Sequence, residues 1–128
     1  MNFSYTVKTQ KNIENVISDI SSNLKDIGFG VLAILDFKKI LNDKGQEFHN
    51  QYKLMEVCNP KLAKQVLEDN PDLGLLLPCT IAVYQDGKEN HISLARPSAL
   101  LKVASESNMQ FIGENVEKKL IEIIGKSR

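Results

Sequence analysis

Two side chains in this 128-residue chain have the most to offer as chemistry, Cys58 and Cys79. Cys58 stands just ahead of Asn59-Pro60, a pair that reads as the cap and first residue of a helix, so its sulfur is placed near the positive end of that helix. A thiolate is favoured there and its pKa falls, which suits a nucleophile or a soft-metal ligand. Cys79 follows Pro78 at the opening of a strand, and Cys79, Ile81 and Val83 point to one side of it. Both cysteines lie at strand ends beside proline turns, where distant segments meet at the rim of a sheet. A thiol pair there can bind copper(I) or zinc, cycle as a redox disulfide, or accept sulfur. The plainer reading is that each packs as a small apolar residue in the core.

Two thiols are an incomplete zinc set. Histidine would have to complete it, and the two available, His49 in a polar loop and His91 on the outward face of a hairpin, read as solvated surface residues. Asp36, at the end of a strand, is a candidate base or ligand, although capping the next helical turn also explains it. Paired carboxylates, a nucleophile elbow, a P-loop and a dinucleotide fingerprint are all missing; Gly28-Phe29-Gly30 ends a helix where that fingerprint would begin one. The mixed charges of Glu14, Asp19, Lys25 and the run from Glu114 to Lys119 read as solvated helix faces.

The elements that must position these residues follow from periodicity. Residues 3–8 alternate as a strand does, and Ile13, Val16, Ile17, Ile20, Leu24 and Ile27 form a helical stripe, with Thr9 as its cap and Gly28 as its left-handed end. A strand over 31–35 and an Asp36-capped turn over 37–41 come next, stopped by 42–45. A third strand spans 51–58, and the helix begun by Asn59-Pro60 turns Leu62, Ala63, Val66 and Leu67 inward and ends near Asp69. Asn70-Pro71 caps a further single turn that Gly74 releases. Strands at 79–84 and 89–95 form a hairpin about Asp86-Gly87. A short helix over 98–106, a loop over 105–110 and a last helix carrying Ile112, Val116, Leu120 and Ile123 close the chain. This order predicts one α+β domain over 1–128, a mainly antiparallel sheet with helices packed on one face.

Composition narrows the partners. The chain is 42% hydrophobic and 25% charged, as ordinary globular domains are. Sixteen basic residues balance sixteen acidic ones, so no field gathers a polyanion and nucleic acid is not an expected partner. The longest apolar stretch without a charge, from Leu73 to Tyr84, is too short for a membrane span, and the N-terminus lacks a signal-peptide pattern. The expected setting is cytoplasmic, with no membrane partner and both thiols reduced.

Taken together, Gly28-Phe29-Gly30-Val31-Leu32 with Asp36, Gly45, Cys58-Asn59-Pro60 with Ala63, Gly74-Leu75-Leu76-Leu77-Pro78-Cys79 and Val83-Tyr84 resemble the family catalogued as domain of unknown function 302. The resemblance runs from about Val7 to Leu101. It implies a TATA-binding-protein-like α+β fold, a curved antiparallel sheet crossed by a long helix, and homodimers, and it implies no activity. Family members commonly carry an acid before the proline matched by Pro97, where this chain has Arg96.

These readings lead first to a non-catalytic, homodimeric binding module. Its site would lie at the sheet rim near Cys58, Asn59 and Cys79, and its ligand would be a small molecule or a soft metal ion on the two sulfurs. The alternatives are a thiol redox or sulfur-transfer protein, with Cys58 attacking and Cys79 resolving, and an interaction domain with both cysteines in its core.

Overall fold

The structure is a computed structural model that describes residues 2–103 and 110–128. Strand β1 (Ser4–Thr9) leads to helix α1 (Ile13–Leu24), whose apolar stripe Ile13, Val16, Ile17, Ile20 and Leu24 is buried. Its cap is Asn12, not Thr9: the Asn12 side chain accepts from the Asn15 N–H at 2.8 Å. Thr9 is the last residue of β1, paired with Asn90, and its hydroxyl instead accepts from the Lys11 N–H. A 3₁₀ turn, Lys25–Ile27, ends at Gly28, whose φ of 76° is the left-handed conformation that glycine adopts without steric cost.

Strand β2 (Gly30–Asp36) is followed by α2 (Phe37–Asp43), with Asp36 accepting from the Lys39 N–H at 3.1 Å. Strand β3 (Tyr52–Cys58) enters α3 (Pro60–Asp69) through Asn59, which caps the Leu62 N–H at 3.2 Å. A 3₁₀ segment, Pro71–Leu76, runs through Gly74 rather than ending there. Leu67, expected inward, is 44% exposed even though its Cδ2 rests against that segment, where a Cβ added at Gly74 would come within 2.8 Å of it. Strands β4 (Cys79–Asp86) and β5 (Glu89–Ala95) form the expected hairpin, and α4 (Pro97–Leu101) and α5 (Gln110–Ser127) follow. Most of the expected loop over 105–110 and the end of the expected helix over 98–106 fall on 104–109, outside the described residues, while Gln110, the loop's last residue, already begins α5.

All pairings are antiparallel, in the order β1-β5-β4-β3-β2. Met55, Val57, Ile81, Val83, Ile92 and Leu94 project from one face and are fully enclosed there with Val16, Ile20 and Leu24 of α1 and Leu120, Ile123 and Ile124 of α5. The fold is therefore α+β, with a purely antiparallel sheet and its helical layer on one side. Among the described residues no helix is long and apolar enough to cross a membrane.

One polar cluster fastens the helical layer. Glu117 of α5 accepts from Ser98 N–H at 3.1 Å, Ser98 Oγ at 2.6 Å and Arg96 Nε at 3.2 Å, which ties α5 to the start of α4. Burial pushes the Glu117 pKa up, but the Ser98 and Arg96 hydrogen bonds and the Arg96 charge outweigh it and hold the carboxyl below its usual range. The unfolded chain then binds the proton first as pH falls. The stabilisation is present above the unfolded carboxylate value, about 4.3, and is lost as pH drops through the lower folded one. Glu117→Gln is expected to flatten the acid limb of a stability–pH curve and to cost about 2 kcal/mol at neutral pH, measured by urea unfolding across pH.

Candidate functional site

At the rim of the sheet where β3 ends and β4 begins, the helical layer leaves a cavity of about 60 Å³. Its floor is Val57, Cys58 and Cys79; α3 and the 3₁₀ segment form one wall, and α4 with the first turns of α5 forms the other. Among the described residues, no ionisable side chain other than the two thiols lines it, and Asn59 is the one polar side chain. One water needs about 10–15 Å³ of such space, so the cavity has room for a few heavy atoms.

The wall segments converge here for local reasons. Asn59-Pro60 starts α3 immediately after Cys58, so the chain turns from sheet to helix at the sulfur. Leu73, Leu76 and Leu77 close over Val66, and Leu101 and Ile112 pack on the same cluster from the far side. Gly113 lets α5 approach α4: a Cβ there would sit 2.5 Å from Leu101 Cδ1.

The register places Cys79 opposite Val57, so Cys58 is one residue further along β3. Sheet geometry then separates the two cysteine α carbons by about 6 Å, inside the span a disulfide tolerates. Strict alternation would send Cys58 to the other face, but it is the last strand residue, and both cysteines line the one cavity. Both are free thiols.

Their electrostatics differ from the expectation for Cys58. Burial pushes its pKa up, not down. The helix end is a poor source of positive potential because Pro60 has no N–H and Asn59 already occupies that of Leu62. Cys79 is pushed up to about 11, chiefly by burial, with Cys58 and Glu56 adding repulsion. Both cysteines therefore meet the cavity as neutral thiols near pH 7.

Asp36 does not join this group. It stands at the opposite end of β2 from Gly30, the partner of Cys58, about 20 Å away along the strand, where it caps α2. His49 is exposed, as expected for a solvated residue, whereas His91 is not solvated. Its side chain is 13% exposed, stacked on Tyr84 with ring centres 5.2 Å apart, and its Nδ1 is buried with no partner among the described residues. Among those residues, no three of His, Cys, Asp or Glu are grouped to hold a metal ion.

The sequence reading missed the α4–α5 wall and its Glu117 anchor. Glu117 lies on the stripe of Gly113, Val116 and Leu120, the one signal that separates it from the solvated charges of its run.

The family model described as "Domain of unknown function DUF302" matches residues 5–127. The chain is also similar to an uncharacterized conserved DUF302 protein from Bacillus stearothermophilus, known from a crystal structure, at 31% identity over 100% of both chains with a TM-score of 0.94. No curated protein matches the chain.

Proposed function

The chain belongs to the DUF302 family, whose name assigns no activity, and from the cavity's chemistry we propose that it is a non-catalytic module binding a small, neutral, apolar ligand beside Cys58, Asn59 and Cys79. One observation carries this reading: a preformed cavity of about 60 Å³ whose lining, among the described residues, bears no charge at neutral pH. A charged ligand would lose its hydration there and gain no partner. An apolar group gains about 25 cal/mol for each Å² removed from water, and Asn59 and the thiols are the polar groups among the described residues that can orient it.

The thiol-exchange alternative has the α-carbon spacing in its favour, but exchange proceeds through thiolate, which burial suppresses at both sulfurs. A soft metal would meet the same obstacle, since both protons must leave before two thiolates can bind it.

Benzene is a suitable probe. Bound by the native state alone, it is expected to raise the melting temperature of the wild type in a concentration-dependent way. Ala63→Phe, which fills the cavity from α3, is expected to abolish the rise. Gly113→Ala, which forces the cavity-lining Leu101 to shift, is expected to change it and serves if the larger substitution does not fold. Equal responses in the wild type and a folded filled variant, or no response in either, would refute the reading.

A further inference from the structure

The apolar character of the cavity continues outward along its walls. Among the described residues, the three most exposed large apolar side chains are Leu75, Val103 and Phe111, at 86, 77 and 73%. Leu75 stands between the lining residues Leu73 and Leu76 of the 3₁₀ segment, and Phe111 directly precedes the lining residue Ile112 of α5. Val103 lies one turn past the lining residue Leu100 of α4, its N–H donating to the Leu100 carbonyl at 3.2 Å. On α3, Leu67 follows the lining residue Ala63 by four positions, so the strip that faces the cavity as Ala63 emerges from it as Leu67. Leu67 Cδ2 rests against Gly74, the neighbour of Leu75. Both walls thus carry solvent-facing apolar side chains beside the lining, and exposed apolar groups gathered in this way mark a binding groove.

The size of the cavity points the same way. Each methylene taken out of water tightens binding about fourfold. The few heavy atoms that about 60 Å³ admits therefore bring a ligand only to about millimolar affinity. Tighter binding requires the ligand to continue past the interior, and its inner end must be slender enough to enter. An unbranched chain meets both demands, because its cross-section is the same inside and outside and it bends to follow the wall.

We infer that the ligand of this site is a neutral amphiphile with one unbranched hydrocarbon chain, whose methyl end enters the cavity and whose following methylenes lie on Leu67, Leu75, Val103 and Phe111. The inference rests on the cavity reading above and adds the class of ligand and its path. The polar head stays in water, beyond the apolar strips, and the chain is what the protein reads.

Melting temperature titrated with n-hexanol, n-octanol and n-decanol gives a dissociation constant for each chain length. The wild type is expected to bind octanol about fourfold and decanol about sixteenfold more tightly than hexanol, because a methylene on an open rim sheds about half the water that an enclosed one does, worth about twofold each. The double variant Leu75→Ser, Phe111→Ser changes two solvent-facing side chains, and it is expected to bring the three constants within about twofold of one another while the benzene and hexanol responses persist. Leu32→Ser, at an exposed leucine on the edge strand β2, is expected to leave the series unchanged. Constants that fail to tighten with chain length in the wild type while benzene still binds would overturn the chain and leave the cavity reading in place; no response to benzene or to any alcohol would remove both. A gain that survives in the double variant, or that Leu32→Ser abolishes, would put the added methylenes elsewhere and overturn the inference. So would sedimentation with phosphatidylcholine vesicles that the double variant abolishes, if the alcohols show no dependence on length, since the rim would then belong to a bilayer.

Discussion

Under iodoacetamide near neutral pH, Cys79 is expected to react about a hundredfold more slowly than an unhindered thiol, and Cys58 well ahead of it. The reactant is thiolate, and raising the pKa from the ordinary 9.0 to about 11 leaves about one-hundredth as much of it. Enclosure by the cavity wall slows the reaction further. The same shift fixes how stability responds to alkali. The unfolded chain loses its Cys79 proton near the ordinary value and the folded chain only near 11, so the stabilisation is whole below the former and disappears as pH rises through the latter. Cys79→Ala is expected to remove that alkaline loss. Labelling of the folded protein at Cys79 as fast as a free thiol would put the thiol-exchange reading ahead of the binding one.

Local signals in the sequence identify most of the elements. Asn59-Pro60 opens α3, Asp36 caps α2, and the alternation of Ile92 and Leu94 delimits β5, because each of these depends on near neighbours alone. Thr9 and Asn12 are both competent caps, and the choice falls to Asn12 because pairing with Asn90 keeps Thr9 in the sheet, a contact across the chain. The cavity was legible as a meeting place of Cys58, Asn59 and Cys79, since strand ends beside proline turns gather at a rim. Its second wall was not, because Leu101, Ile112 and Gly113 reach Val66 and Leu73 only through the packing of α4 and α5. The same holds for His91: alternation gives its face correctly, but only the β4–β5 register brings it against Tyr84. The direction of the Cys58 shift depended on burial, which no local pattern reports.

Filling the cavity is expected to have the second large effect. Ala63 faces it from α3, beside Leu62 and Val66. A phenylalanine there occupies the space a ligand would take, and its ring gains apolar contacts with an apolar lining, so the ligand is lost while the fold keeps most of its stability. A drop in stability of more than about 3 kcal/mol would mean that the space is too small or too rigid to accept a ring.

The most direct test of the cavity as a ligand site is organic extraction of the purified wild type and of Ala63→Phe, followed by mass spectrometry of both extracts. An apolar, uncharged compound recovered in stoichiometric amount from the wild type and missing from the folded variant is the expected result. Identical extracts, or a compound that stays with both proteins, would contradict it.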